Sequence, residues 1–375
     1  MTAFTKPFDK SIGIIGSGQL ARMLCLRGRE MGLKVHVLSD KKDDPASQVC
    51  TQWHKGNPLD LKDLKKFADN VDIVTFESEF IPGSLLDQIE TLKRKCLPNT
   101  TAIKKLQDRW PQKELLWDFK IPTSPFIKIG SKDDLDMSYT AFKGQMVLKS
   151  RFGGYDGFGT FVIKSSRDLS QFKLKNKGLE SHFIAEKFIQ FKNEKSLIIA
   201  RNTKGEFYKY PLVTTVQRHN QCYQVYGPSE HPKEKALFKK ITQCLNAINY
   251  VGVIAFELFD TGKDLIVNEV APRVHNSGHI TLDAFNIDQF ELHLRALLGL
   301  KFPDKVYSSK VFLMQNLSGE TNRKVRFLGA LEGRLYWYEK NKNRPRRKMG
   351  HINYIGNSLK NLQTYAQKDL KKIVL

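Results

Sequence analysis

Apolar residues in the first hundred positions come in short blocks, each followed by a stretch in which they recur every third or fourth residue. Residues 12–15, 35–38 and 73–76 are apolar runs of strand length, and residues 19–31 carry the periodicity of an amphipathic helix. Strands alternating with helices in this way predict a parallel sheet with crossover helices. The rhythm changes after about residue 105. Asp108-Arg-Trp-Pro-Gln-Lys113 opens a helix, strands are predicted at 146–150, 161–163, 183–186 and 196–200, and a helix at 233–248. Residues 251–259 and 265–267 flank Thr261-Gly-Lys-Asp264, which has the turn chemistry of a hairpin. A helix over 287–300 follows, and residues from about 306 read as a small basic β-rich tail.

The chain is therefore α/β, with an expected N-terminal parallel-sheet domain at 1–105 and a two-lobed domain at 106–305. The lobes divide into 118–190 and 191–305, ahead of a C-terminal unit at 306–375. With 375 residues, 41% of them hydrophobic, it can build two or three packed cores. No stretch of about 18 apolar residues occurs and no apolar segment precedes the first strand, so neither a membrane span nor a signal peptide is expected. The expected place is the cytoplasm. Five cysteines (Cys25, Cys50, Cys96, Cys222 and Cys244), without a CxxC, fit reduced thiols. The net charge of +22 is interleaved with acids, and such a field concentrates phosphorylated ligands. The run Lys340-Asn-Lys-Asn-Arg-Pro-Arg-Arg-Lys348, beside Tyr336, Trp337 and Tyr338, has the composition of a nucleic-acid patch. It comes with no zinc-finger, homeodomain or RNP pattern, so no specific nucleic acid is expected.

Four segments carry chemistry. Gly16-Ser-Gly-Gln-Leu-Ala21 is a GxGxxA turn between strand and helix, and its glycines let backbone amides approach a phosphate. Alone, with Asp40 after the second strand, it would suggest a dinucleotide. Lys149 ends a strand just before Arg151-Phe-Gly-Gly-Tyr-Asp-Gly-Phe-Gly159, whose four glycines in seven positions make a lid with amides for polyphosphate. The hairpin sets Glu257 opposite either Glu269 or Asn268, depending on the length of its connection. Either register gathers two carboxylates and an amide oxygen, hard ligands suited to magnesium shared with phosphates. The loop Asn268-Glu-Val-Ala-Pro-Arg-Val-His-Asn-Ser-Gly-His279 then crowds cationic, amide and hydroxyl groups together, as a site for a polar anion requires.

These motifs, with Thr75-Phe-Glu-Ser-Glu79 and Arg347-Lys-Met-Gly-His351, resemble N5-carboxyaminoimidazole ribonucleotide synthetase, the ATP-grasp carboxylase family of purine synthesis. The resemblance runs from residue 12 to about 353. It implies an ATP-grasp fold behind a Rossmann-like N-terminal domain. It also implies a ligase that phosphorylates bicarbonate with MgATP to carboxyphosphate and carboxylates the amine of aminoimidazole ribonucleotide. Carried over by motif, Arg109, Lys149, the lid residues Gly153, Gly154, Tyr155, Asp156, Gly157, Phe158 and Gly159, then Glu186, Lys187, Phe188, Ile189, Glu194, Gln217, Asn268 and Glu269 would hold ATP. Glu257 and Glu269 would hold magnesium, for which manganese could substitute. Gly16, Ser17, Gly18, Gln19, Leu20, Glu77, Tyr155, Asn276 and Arg347 would surround the ribonucleotide, with the glycine turn on its phosphate. Asp156, Arg273, His275 and Lys348 would be catalytic, and a homodimer is implied. The chain departs from the family pattern at Phe158 (usually Lys or Arg), Thr160 (Gln), Gln217 (His) and Thr214-Thr215 (Glu-Asn). A nucleotide-binding relative without turnover and a basic nucleic-acid-binding protein are the other classes sharing parts of this pattern.

Overall fold

The computed structural model describes residues 9–91, 95–154, 157–304, 308–321 and 325–375. In the first unit the apolar blocks become the strands β1 (Ser11–Ile15), β2 (Lys34–Ser39), β3 (Gln52–Lys55), β4 (Ile73–Phe76) and β5 (Lys95–Cys96). Helices α1 (Gln19–Glu30), α2 (Leu61–Ala68) and α3 (Gly83–Thr91) connect them. The sheet is parallel, in the order β3-β2-β1-β4-β5. Strand order reverses between β1 and β4, the place where open parallel sheets gather ligands. Ile15 lies beside Phe76 in the register, which brings Gly16 and Glu77 together at the strand ends.

Helix α1 forms because Leu20, Ala21, Leu24, Cys25 and Gly28 line one stripe and are buried. Gly28 lets the helix lie close on β2: a Cβ there would come 2.5 Å from Val35 Cγ2. Asn99 and Asp108 cap the next two helices, α4 (Thr100–Gln107) and α5 (Arg109–Asp118), by accepting from the amides of Ala102 and Trp110.

The lid lobe contains β6 (Phe126–Lys128), α6 (Lys132–Ala141), β7 (Met146–Ser150), β8 (Thr160–Ile163), α7 (Ser166–Lys175) and β9 (Phe183–Lys187). Its strands form an antiparallel sheet in the order β6-β9-β7-β8, with a core of its own built on Leu135, Phe142, Met146, Leu148, Leu169 and Phe172.

The second lobe adds β10 (Asn193–Arg201), β11 (Phe207–Lys209), β12 (Leu212–Arg218), β13 (Gln221–Ser229), α8 (Glu234–Ala247), β14 (Gly252–Asp260), β15 (Leu265–Ala271), α9 (Thr281–Ala284) and α10 (Gln289–Leu298). Behind it come β16 (Val311–Ser318), β17 (Arg326–Phe327), β18 (Arg334–Trp337), β19 (Lys348–Gly356), α11 (Leu359–Leu370) and β20 (Ile373–Val374). The tail read from the sequence is not a sheet apart, because β16 pairs with β13 and the order runs β15-β14-β10-β12-β13-β16-β19-β18. One large core unites Ile14 and Val37 of the first sheet with Val253, Leu294, Phe312 and Tyr338.

Gly28→Leu is expected to pry α1 from β2 and to cost about 1–3 kcal/mol, the usual range for overpacking. The midpoint of thermal unfolding reads this out, and a variant as stable as the parent would show that the close approach is not required.

Candidate active site

Glu186 of β9 anchors the lid lobe's polar face. Its Oε2 lies 3.1 Å from Lys149 Nζ and 3.0 Å from Lys113 Nζ, and it accepts from Ser124 Oγ at 2.5 Å. Burial alone would raise this carboxyl, but the two ammonium groups outweigh it and hold Glu186 down at about 2. Its Oε1 is buried without a hydrogen-bond partner among the described residues and can accept from an incoming donor. Lys149 also donates to Asn268 Oδ1 at 2.7 Å, tying the lobe to β15. Lys187 and Phe188 leave β9 with their amides on the carbonyls of Pro125 (2.8 Å) and Gln145 (3.3 Å), with half-buried Ile189 next.

The hairpin of β14 and β15 resolves the register left open by the sequence. The Thr261 amide donates to the Asp264 carbonyl, and Leu258 faces Val267. This register alone would set Glu257 against Asn268. A bulge at Asn268 advances it by one, so Glu257 and Glu269 are direct partners. Glu269 Oε2 lies 3.0 Å from Arg109 Nη1, and Glu257 Oε1 lies 3.2 Å from His275 Nε2. The Ser277 amide donates to His275 Nδ1 at 3.3 Å, so the imidazole proton sits on Nε2 and points at Glu257. Burial works against ionising Glu257, yet His275, Lys348 and Arg109 hold it at about 2. Glu194, two residues from the Ser196 that faces Glu257, goes the other way. Burial and the nearby Glu257 charge push it up to about 7, against a hydrogen bond from Gln217. Among the described residues, no group of three or more His, Cys, Asp or Glu could hold a metal alone. Two opposed carboxylates beside an amide oxygen instead suit a cation that takes its remaining ligands from phosphate.

The glycine turn departs from expectation. Glu77 accepts from the amides of Gly18 (2.5 Å) and Leu20 (3.3 Å), so the α1 N-terminus already holds a carboxylate where a substrate phosphate was expected. Burial raises the Glu77 carboxyl, and these amides only partly offset it. At Gly16, φ is +106° and a Cβ would come 2.9 Å from Glu77 Oε2, so glycine is needed there. Ser17 Oγ donates to Asp44 at 2.6 Å, and Gln19 is half-buried at the start of α1. Arg273 grips Glu79 through Nε (2.6 Å) and Nη2 (3.4 Å). Asn276 exchanges two amide hydrogen bonds with Asn316, at 3.0 and 2.7 Å. Arg347 Nη1 donates to the Lys342 carbonyl at 2.8 Å, and Lys348 opens β19 near Glu257.

Tyr155 and Asp156 lie outside the described residues. Gly153 and Gly154 line a crevice with Arg109, Arg151 and Glu269, and a Cβ at Gly154 would come 2.9 Å from Arg109 Nη2. A larger cleft bordered by Met31, Glu291, Arg295 and Lys301 lies at the far end of α1, roughly 18 Å along its axis from the glycine turn. Sequence reasoning missed Lys113 and Glu79. Lys113 stands four positions after Arg109, on the same helix face, and Glu79 two after Glu77, so both had a local signal. The basic run at 340–348 is largely exposed but tied down within the chain: Lys340 donates to the Lys348 carbonyl at 2.6 Å and Asn341 to Asp43 at 2.8 Å. Tyr338 is buried against His351, and Tyr336 stacks on the same imidazole.

Residues 9–107 match the ribonucleotide synthetase preATP-grasp domain, 114–290 the ATP-grasp domain, and 313–365 the phosphoribosylaminoimidazole carboxylase C-terminal domain. Fold and site together define an ATP-grasp ligase. The N5-carboxyaminoimidazole ribonucleotide synthase of Synechococcus elongatus is 36% identical over 350 residues, 91% of this chain and 88% of its own. That of Saccharolobus solfataricus is 32% identical over 96% of this chain and 95% of its own. The crystal structure of the Staphylococcus aureus N5-carboxyaminoimidazole synthetase complexed with ADP superposes with a TM-score of 0.88 at 30% identity, covering 96% of this chain and 97% of that one. The Aspergillus clavatus enzyme in complex with ADP and 5-aminoimidazole ribonucleotide gives 0.85 at 26% identity, covering 96% and 98%. The chain belongs to the N5-carboxyaminoimidazole ribonucleotide synthase family.

Glu194 is neutral below about 7 and ionised above it. A carboxylate accepts from nucleotide hydroxyls better than a carboxylic acid, so ADP binding should strengthen as pH rises through that value and flatten in Glu194→Gln. Calorimetric titration about one unit either side tests this. A pH profile shared by parent and variant would remove Glu194 from the nucleotide site.

Proposed function

We propose that this chain carries out the family's reaction, the ATP-dependent carboxylation of aminoimidazole ribonucleotide with bicarbonate in purine synthesis, at the opposed carboxylates of β14 and β15. One observation carries the assignment of roles. The Glu257–Glu269 pair has Arg109 and Lys149 on its lid side and Arg273, His275 and Lys348 on its other side. A phosphoryl group and an anionic acceptor that must meet need such a seam.

On the nucleotide side, Lys149 and Arg109 oppose phosphate charge, Glu186 offers its unpartnered Oε1 to a donor, and Glu194 with Gln217 forms the rim. Glu257, Glu269 and the Asn268 oxygen would hold magnesium, which when bound offsets charge on the phosphoryl oxygens. The γ-phosphoryl passes from ADP's leaving oxygen to bicarbonate; the resulting carboxyl bonds to the ribonucleotide amine, phosphate leaves, and the amine loses a proton. Arg273 is fixed by Glu79, and His275 is held as a donor at Nε2 by the Ser277 amide, so both are oriented before the substrate arrives. Because Glu77 occupies the amides of the glycine turn, the phosphate of the ribonucleotide falls to the cations of the C-terminal loop, Arg347 and Lys348. Glu77 keeps acceptor capacity for sugar hydroxyls. Work as a homodimer in the cytoplasm is part of the same reading; five free thiols support a reducing compartment, and dimerisation rests on the family resemblance. Among the described residues, no helix is long and apolar enough to cross a membrane.

ADP release measured with and without the ribonucleotide and bicarbonate should depend on both. Glu269→Gln should lower turnover by at least about two orders of magnitude with thermal unfolding unchanged, the scale of losing a major electrostatic contribution to the transition state. Near-parental turnover in that folded variant would refute the carboxylate assignment.

Lys348→Ala is expected to abolish the ribonucleotide-dependent part of ADP release while ADP affinity stays within about two-fold, as befits a screened charge. An equal loss of ADP affinity would move Lys348 to the nucleotide side.

A further inference from the structure

Lid, hairpin and C-terminal loop meet at a junction that the proposed chemistry does not use. His219 and Asn220 have φ of 52° and 60° between the paired Arg218 and Gln221, which makes the tip of β12 and β13 a two-residue primed turn. Gly157 of the lid lies on this tip: its φ is +80°, and a Cβ there would come 2.5 Å from Asn220 Cβ. One residue on, the Phe158 ring lies 5.1 Å from Arg346 Cζ, within cation–π range. Arg346 is held in place from several sides. Its amide donates to the Gly319 carbonyl at 2.8 Å, its carbonyl accepts from Gln221 Nε2 at 2.8 Å, and its Nη2 donates to the His219 carbonyl at 3.1 Å. Its φ of +66° is a left-handed conformation that a non-glycine residue adopts only when its surroundings enforce it. Arg347 and Lys348 follow it directly, and Gln217 of the nucleotide rim stands two residues before His219 on the hairpin.

We propose that Arg346 is a positioning residue, and that its stacking on Phe158 couples a lid closed over nucleotide to the placing of Arg347 and Lys348 on the ribonucleotide. The coupling rests on the two-sided reading of the site given above. An aromatic ring is the side chain this arrangement calls for at 158. It attracts the guanidinium through its π face, whereas an ammonium in its place would repel Arg346. Closing one substrate site then favours ordering of the other, and carboxyl transfer takes precedence over hydrolysis.

The test is a double-mutant cycle on Phe158→Leu and Arg346→Met in the full-length protein, read as KM for aminoimidazole ribonucleotide and as the share of ADP released without carboxylated product. Each single variant should raise that KM about two- to five-fold, the worth of an exposed cation–π pair, and raise the uncoupled share, with a smaller change in kcat. The double variant should be no worse than either single one. Phe158→Lys should be worse than Phe158→Leu, and adding Arg346→Met to it should recover part of the loss. Single effects that multiply in the double variant would overturn the coupling, as would variants that lower the unfolding midpoint and leave the ribonucleotide KM unchanged. A parent protein without ribonucleotide-dependent ADP release would take down the functional reading and this inference together. A parent that shows it, with a cycle that multiplies, takes down this inference alone.

Discussion

Two carboxylates placed directly across a strand pair repel one another, and the bulge at Asn268 places Glu257 and Glu269 in that arrangement. The surrounding architecture can be understood as the means of supplying cations and hydrogen-bond donors to them. Arg109 comes from the first turn of α5, His275 from the loop after β15, and Lys348 from β19, five strand pairings away from β14 through β10, β12, β13 and β16 in the same sheet path. A charge left unpaired in a half-buried site costs several kcal/mol, about 3–5 when one partner of a buried pair is removed. The C-terminal strands therefore complete the sheet and bring a charge that the site needs. The same constraint explains why Glu257 stays ionised while Glu194, which lacks a comparable cation, does not at low pH.

The cores divide the molecule along the same line. The first sheet, the second lobe and the C-terminal strands share one apolar cluster, whereas the lid lobe is built on a separate one. What joins the lid lobe to the rest near the site is polar: Lys149 to Asn268, Thr123 Oγ1 to the Val267 carbonyl, Arg109 Nε to the Ser150 carbonyl and Arg151 to Asp108. Polar contacts of this kind can be exchanged for contacts with water or phosphate at small net cost, and interdigitated side chains cannot. The loop that carries Arg273 and His275 follows β15 on the side of the shared core, and the lid lobe meets it across this polar seam.

The local features of this design were legible in the sequence, and the non-local ones only in part. The apolar run at 73–76 predicts a strand and is β4; the periodicity at 19–31 predicts a helix and is α1, one residue shorter; the turn Thr261-Gly-Lys-Asp264 closes the hairpin. Periodicity and turn chemistry act within a few residues, so they survive in one chain. The register at Glu257 was narrowed to two choices and could not be narrowed further, because a bulge is decided by cross-strand packing. β12 and β13 escaped notice since Thr214-Thr215-Val216-Gln217-Arg218 lacks a clean alternation, and the β13–β16 pairing joins residues about ninety apart. Arg273 and Glu79 were both inside quoted motifs, yet their pairing across 194 positions left no trace in either.

Glu77 shows most plainly where motif reasoning stops. A glycine turn at a helix N-terminus specifies an anion, since its free amides and the helix dipole favour negative charge. It does not specify which anion. Here the order of the strands puts the residue after β4 against the turn after β1, and that residue is an acid. A tethered carboxylate faces a far smaller entropic penalty than a free phosphate, so it takes the amides first. The burial that raises its carboxyl also keeps water from competing for those amides. A motif shared with dinucleotide-binding folds is thereby turned from a phosphate cradle into a mount for an acid of the chain itself, and the change depends on a single residue 59 positions away from Gly18.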